Sequence, residues 1–193
     1  MEKNRKNIRN KIIGIIGSRT LHHSFKPAVF SAVEFLLNQG YLIATGGAIG
    51  ADLFAVECLL SLGAAEKSIV FSAWQNMSGF PKEILPLIHQ LQAQGGQIIC
   101  GSAHPGHSKE QIRNALLARN TNLVNHSHGL VAFINETSRG SIYTIKKAIQ
   151  KKIPVVVFPI NTNLPVIKGV NWLRSNKQHF ESAFEAYYPP VSG

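Results

Sequence analysis

The stretch IIGIIGSR, residues 12–19, is an apolar run that ends in a glycine, a serine and an arginine. Apolar residues without polar alternation are typical of a strand that is buried on both faces of a parallel sheet. The small residues that follow predict a turn directly after this strand. We therefore expect residues 12–17 to form the first strand of a buried sheet.

The same pattern recurs along the chain. Further apolar runs lie at residues 41–45, 68–72, 97–100, 129–134 and 153–159, and helical patterns lie between them, at 24–38, up to Leu62, at 81–94, from Ser108 onward and at 140–151. Strands that alternate with helices at this spacing form parallel crossover units. The sequence thus predicts an α/β fold with an open, mostly parallel sheet and helices on both faces.

Three segments differ in composition. Residues 1–11 are rich in lysine and arginine without an apolar period, which predicts a basic flexible arm. Residues 12–160 hold the whole strand–helix series and form the predicted domain. Residues 161–193 lose the pattern, and we expect a C-terminal extension, with a short helix around 172–184, that packs on the domain or on a partner.

The chain has 193 residues and a formal net charge of +10. Such an excess attracts polyanions by neutralising phosphates, although it also serves plain solubility, and the charge alone does not separate the two. Cys58 and Cys100 lie in apolar segments, which predicts buried, reduced thiols and a cytoplasmic protein. No apolar run reaches the about 18 residues of a membrane span, so we expect no membrane partner.

Small-residue loops follow three of the predicted strands, and this coincidence is the main functional signal. In open parallel sheets, ligands bind beyond the carboxyl ends of the strands, and backbone N–H groups at helix starts bind anions. We therefore expect a phosphate-bearing ligand, either a nucleotide or single-stranded nucleic acid. The candidate binding residues are Gly17, Ser18, Arg19, Gly46, Gly47, Gly50, Asp52, Arg119, Asn120, Glu136, Ser138, Gly140, Ser141 and Thr144.

Four of these residues have plain structural alternatives, of which Ser138 and Ser141 have that of capping a helix. Asp52 lies in the first turn of a predicted helix, where a carboxylate caps as readily as it contacts a ribose. Arg119 reaches a phosphate or simply extends to solvent as a surface arginine. The glycine spacing matches neither a dinucleotide fingerprint nor a P-loop. The histidines lack metal-site spacing and no nucleophile motif occurs, so we expect no metal, no cofactor and no catalytic residue.

These motifs resemble the Rossmann-like SLOG superfamily and are most similar to the central domain of DNA-processing protein A. The matching stretches are Gly17-Ser18-Arg19, Thr45 to Asp52, Arg119-Asn120, Glu136 to Thr144 and Val155 to Pro159. The resemblance implies single-stranded DNA binding, assistance to a recombinase and a homodimer. Ile160 departs from the pattern, because that family has a glycine after the last proline.

Two other functions fit the same superfamily. Its enzymes that remove ribose phosphate from cytokinin nucleotides use a glutamate whose position falls here on Thr144, and threonine supplies no carboxylate. Glu136 is a possible substitute for that glutamate. A sensor domain that binds a nucleotide signal is the other alternative. The sequence therefore predicts a non-enzymatic nucleotide- or phosphate-binding domain that engages single-stranded DNA.

Overall fold

The computed structural model describes residues 11–189. The predicted basic arm, apart from Lys11, and residues 190–193 of the predicted extension lie outside this range. The described chain forms one eight-stranded sheet in the order β4-β3-β2-β1-β5-β6-β8-β7. The strands are β1 Ile12–Gly17, β2 Leu42–Thr45, β3 Ser68–Phe71, β4 Gln97–Ile99, β5 Gly129–Ile134, β6 Val155–Pro159, β7 Asn171–Arg174 and β8 Phe184–Tyr187.

Strands β1 to β6 pair in parallel, and β8 and β7 add an antiparallel edge. The helices are α1 Lys26–Asn38, α2 Ala51–Ser61, α3 Leu85–Ala93, α4 Lys109–His126 and α5 Arg139–Gln150. The prediction of an α/β fold with an open, mostly parallel sheet is confirmed. Each crossover requires a helix between consecutive parallel strands, which is why the two element types alternate along the chain.

Both faces of the sheet are covered. Helices α1, α2 and α3 pack in one apolar cluster, which takes Ile13 and Ile15 from β1. Helices α4 and α5 pack in the second cluster, which takes Ile16 from β1. Because neighbouring side chains of a strand point to opposite faces, a strand covered on both sides must be apolar throughout. This double burial explains the uninterrupted apolar runs in the sequence.

Capping chemistry sets the helix starts. Ser108 accepts a bond from the Gln111 amide and the Gln111 side chain accepts one from the Ser108 amide, so a capping box opens α4 where a helix was predicted from Ser108 onward. The helix predicted over 24–38 starts at Lys26, and Ser24 does not cap it. Its amide donates to His22 Nδ1 at 3.2 Å, and a 3-10 turn over His23–Phe25 precedes the helix.

The helix expected around 172–184 is wrong. This segment instead contributes β7 and the start of β8, which pair antiparallel from Asn171–Tyr187 to Arg174–Phe184. β8 in turn pairs with β6 through Val156 and Val157. The unpaired edge of β6 offers backbone hydrogen bonds that outweigh weak local helix propensity, so tertiary context decides this segment.

The two cysteines differ in exposure. Cys58 is buried on α2, where its thiol donates to the Phe30 carbonyl at 3.7 Å, and burial raises the pKa of this thiol to about 11. Cys100 is exposed, so the prediction that both thiols are buried is wrong for it. It follows β4, which is the edge strand of the sheet and has only half-buried isoleucines. In residues 11–189, no helix is long and apolar enough to cross a membrane.

Thiol titration tests this packing. We expect the folded protein to react promptly with Ellman's reagent at one thiol, Cys100, because the thiolate is the reacting form and Cys58 is both buried and held neutral. The second thiol should react only in denaturant. In the Cys100→Ser variant the prompt phase should disappear. Two prompt thiols in the folded protein would show that α2 is not packed as described.

Candidate functional site

The order of the sheet reverses between β1 and β5. From β1 the chain adds β2, β3 and β4 on one side, whereas β5 and β6 lie on the other. Helices α2 and α5 start at the carboxyl ends of β2 and β5, immediately beside this point. Such a topological switch point leaves a crevice at the carboxyl edge of the sheet, where ligands of open α/β folds bind.

The loop after β1 contacts the loop after β5. The Ser18 amide donates to the Phe133 carbonyl at 2.8 Å. This hydrogen bond extends the pairing of β1 with β5 beyond Gly17. The Thr20 hydroxyl lies 3.1 Å from that of Thr137, and Asn135 Nδ2 donates to Thr20 Oγ1 at 3.0 Å. The first and third small-residue loops are therefore joined at the same edge.

The loop after β1 also contacts the loop after β2. The Ala51 amide donates to the Ser18 carbonyl at 3.3 Å. Gly50 has a φ of +80° and lies so close to Ser18 that an added Cβ would collide with the Ser18 carbonyl oxygen. Only glycine combines this backbone conformation with this close approach. All three loops thus lie together, as the sequence predicted.

Arg119 of α4 is buried, with an exposed fraction of 8%, and does not extend to solvent. Its Nη1 donates to the carbonyl oxygen of Gly46. Gly46 in turn donates its amide to Asp52 Oδ2 at 2.9 Å, and the Ala48 amide donates to the same oxygen at 3.3 Å. A Cβ on Gly46 would overlap the Arg119 guanidinium and crowd the Asp52 carboxylate. Gly46 therefore links two buried groups of opposite charge.

The charges of this network affect each other. Burial raises the pKa of Asp52, while the positive charge of Arg119 and the amides of Ala48 and Gly46 oppose that rise. Burial lowers the pKa of Arg119, Asp52 opposes this, and Arg19 adds to the lowering. Guanidinium stays protonated in proteins, so the site keeps two positive charges, from Arg19 and Arg119, against one carboxylate. The balance at this edge favours an anion.

Most amides of the first two loops are occupied within the protein, contrary to our expectation that they face an anion. The Gly46 and Ala48 amides bind Asp52, the Gly47 amide donates to Thr45 Oγ1 at 3.3 Å, and the Ser18 amide binds β5. At this site, Nε of Arg119 is a buried donor that has no acceptor among residues 11–189. Buried donors are nearly always paired, which makes this N–H a candidate ligand contact.

A cleft of about 150 Å³ opens beside this network. Its polar lining comes from Arg19, Gly46, Gly47 and Arg119, and its apolar wall includes Trp74 and Phe80 from the loop after β3. Sites that enclose drug-sized ligands have about 300–1,000 Å³, so this cleft suits a phosphate or one base better than a whole enclosed nucleotide.

Sequence reasoning missed the apolar wall. Gly79 lies against the Trp74 ring, and Gly47 lies against Phe80, so that a Cβ on either glycine would overlap the aromatic side chain. The signal was the position of this loop: β3 is parallel to β2, and the end of β3 must therefore lie at the same edge. A tryptophan after a strand of that sheet could have been assigned to the site on this ground.

The remaining predicted residues lie around the cleft rather than in its lining. Ser141 is buried, and Thr144 is buried and donates to the Gly140 carbonyl at 2.8 Å. The Ser138 hydroxyl bonds to Asn135. Glu136 is exposed. The Gly140 and Ser141 amides lie in the first turn of α5, where N–H groups lack partners within the helix. Their role toward a ligand stays a prediction.

Asn120 and Gly17 complete the set. Asn120 Nδ2 is 4.0 Å from the place of a Cβ on Gly140, so Asn120 lies over the start of α5. Gly17 packs against Ala51 and the Phe133 backbone so closely that a side chain would not fit.

No group of three or more histidine, cysteine, aspartate or glutamate side chains in residues 11–189 is placed to hold a metal ion.

Comparisons with known proteins identify relatives. The model of the family described as DNA recombination-mediator protein A matches residues 3–186. A structure of DNA processing protein A from Helicobacter pylori, described by its single-stranded DNA binding mode, has a TM-score of 0.66 and 24% identity, and covers 83% of this chain and 70% of that one. DNA processing protein A from Streptococcus pneumoniae has a TM-score of 0.60 and 22% identity, over 81% and 52%.

A third similar structure is the molybdenum cofactor binding protein from Rippkaea orientalis, with a TM-score of 0.58 and 16% identity, covering 80% of this chain and 79% of that one. At these identities the three structures establish the shared fold alone. No curated protein sequence matches the chain significantly.

A double-mutant cycle tests the buried network. Arg119→Met or Asp52→Asn alone leaves one buried charge unbalanced, and we expect each to lower the free energy of unfolding by about 3 kcal/mol. The double variant should lose less than the sum, with a coupling of about 1–3 kcal/mol in urea unfolding. The exposed pair Lys177 and Glu185, 2.8 Å apart, is the control, with an expected coupling below about 1 kcal/mol. Additive losses at Arg119 and Asp52 would contradict the network.

Proposed function

The chain belongs to the DNA recombination-mediator protein A family, and from this membership we propose that it is a non-enzymatic DNA-processing domain that binds single-stranded DNA through backbone phosphates at the switch point. The Helicobacter pylori protein of the same fold, which binds single-stranded DNA, supports this ligand class. The formal net charge of +10 supports a polyanionic partner.

The observation that supports the proposal most is the pair of guanidinium groups at the cleft. Arg119 is held by the Gly46 carbonyl and keeps its Nε–H without an acceptor among residues 11–189, while the exposed Arg19 lines the same cleft. Planar guanidinium groups donate to phosphate in a fixed geometry. A buried, positioned arginine loses little side-chain freedom on binding, and the exposed one adds charge at the entrance.

The apolar wall supports a single strand over a duplex. Trp74 and Phe80 line the same cleft as the two arginines. In single strands the faces of bases are accessible, and bases stack on aromatic side chains without regard to sequence. The volume of about 150 Å³ accommodates one base or one phosphate at a time. We therefore propose that the cleft encloses only part of one nucleotide of a longer strand, its phosphate or its base.

The non-enzymatic part of the proposal rests on Thr144. Resemblance to the cytokinin-nucleotide hydrolases places a catalytic glutamate at this position, and here the Thr144 hydroxyl is used to donate to the Gly140 carbonyl. Glu136, the possible substitute, lies exposed on the loop after β5. The nucleotide sensor remains the alternative, because a phosphate of a free nucleotide presents the same charge to Arg19 and Arg119.

Salt-dependent binding tests the proposal. We expect fluorescence-labelled oligothymidylate to bind at low salt, with the logarithm of affinity falling linearly as the logarithm of salt concentration rises. Arg19→Ala should weaken binding about 10-fold and lower the slope by about 0.7, since one phosphate contact is lost. Lys67→Ala, which removes the same charge from an exposed residue beyond the amino end of β3, should bind like the wild type.

Absence of oligothymidylate binding at low salt would refute the nucleic-acid proposal. If a mononucleotide then raised the melting temperature, the sensor would be favoured, because a ligand that binds only the native state stabilises it. Base release from a nucleoside monophosphate, lost on Glu136→Ala, would refute the non-enzymatic reading.

We also propose that the protein acts as a homodimer, as the family resemblance implies, and that it is cytoplasmic, as the reduced cysteines suggest. Leu173 and Tyr187 on the outer hairpin have exposed fractions of 53% and 46%, and this apolar surface supports contact with a second copy. Light scattering after gel filtration should give twice the chain mass of 21.2 kDa. A mass of 21.2 kDa at micromolar concentration would contradict the dimer.

A further inference from the structure

Positive charge is concentrated in one part of the chain. From Thr137 to Phe180 the sequence has eight lysine and arginine residues and no aspartate or glutamate. This segment forms α5, β6 and β7, which lie on the β5 side of the switch point. The surface beside the cleft is therefore basic on this side, and a charged surface of one sign concentrates ligands of the other sign.

Helix α5 presents part of this charge as a stripe. Its buried face consists of Ser141, Thr144, Ile145 and Ala148. Arg139, Tyr143, Lys146 and Lys147 follow the spacing i, i+4, i+7 and i+8, which places them together on the opposite face. We call Arg139, Lys146 and Lys147 the α5 stripe.

The stripe begins at the candidate site. Arg139 is the first residue of α5, directly after the loop that contacts Thr20 through Thr137. From Arg139 to Lys147 the rise of 1.5 Å per residue gives the stripe a length of about 12 Å. At the spacing of about 3.4 Å per stacked nucleotide, this length corresponds to about three to four nucleotides.

The charges of the stripe are not neutralised within the protein. The two ion pairs found in residues 11–189 use Lys26 and Lys177, and neither involves the stripe. Lys151, directly after the end of α5, differs: its ammonium donates to the carbonyls of Val124, Asn125 and Ser127 and is used to close the end of α4. The stripe is therefore defined by side chains that remain available to a ligand.

Tyr143 orients one lysine of the α5 stripe. Its hydroxyl lies 3.0 Å from that of Thr121, and the Lys147 ammonium lies over its ring at 5.6 Å from the centroid. The ring thus orients a lysine, and one ring face is already covered. Ammonium groups on an exposed helix face contact phosphates and read no base sequence.

We propose that a DNA strand bound in the cleft continues along the α5 stripe, which holds its phosphates over about three to four further nucleotides. This inference rests on the proposed function and extends it, because it assigns a direction to the strand and a second set of contacts. It follows that affinity rises with strand length until the stripe is covered.

Two strand lengths separate the cleft from the stripe. Lys146→Ala/Lys147→Ala should weaken binding of a 15-residue oligothymidylate about 10-fold and lower its salt slope by about 1.4, the value for two lost phosphate contacts. Binding of a 3-residue oligothymidylate should change less than twofold (about the resolution of the titration). Lys146→Arg/Lys147→Arg keeps the charge and should retain wild-type binding of both strands.

Arg19→Ala distinguishes failure of the inference from failure of the proposed function. If Arg19→Ala weakens both strands and the double alanine variant weakens neither, the stripe is refuted and the cleft remains. If the double alanine variant weakened the binding of both oligothymidylates equally, a separate set of contacts along α5 would also be refuted. If the wild type binds neither strand, the proposed function fails and the inference fails with it.

Discussion

The backbone of Gly46 lies between two buried charges, and the rest of the site depends on this contact. Its carbonyl accepts from Arg119 and its amide donates to Asp52, so the loop after β2 is held from both sides. Without a Cβ at residue 46, both groups approach the backbone closely. Each charge offsets the cost of burying the other, and removing either leaves the remaining one uncompensated.

The fold places this network at the edge of the sheet where a ligand can bind. Because β1 and β5 are the strands at which the sheet order reverses, their loops and the loop after β2 meet at one edge, and α4 brings Arg119 to the same edge from the second layer. One carboxylate is used internally, and two guanidinium groups remain at the cleft. The charge balance, the apolar wall and the basic face of α5 then suit the same kind of ligand, a flexible strand of phosphates and bases.

The sequence predicted those parts that local pattern determines. Apolar runs such as 12–17 follow from double burial, and the carboxyl-edge location of the loops follows from parallel pairing. It did not predict the burial of Arg119, the apolar wall of Trp74, or the hairpin of β7 and β8. These depend on contacts between distant segments, such as Arg119 with Gly46 or β8 with β6, which periodicity does not contain. The occupied loop amides likewise became visible only in three dimensions.

The account is tested most directly by a crystal structure of the protein with a short oligothymidylate. We predict a phosphate in contact with Arg19 and with Nε of Arg119, and an unchanged bond between Arg119 and the Gly46 carbonyl. Oligonucleotide bound away from the switch point, with the cleft closed by its own side chains, would contradict the account.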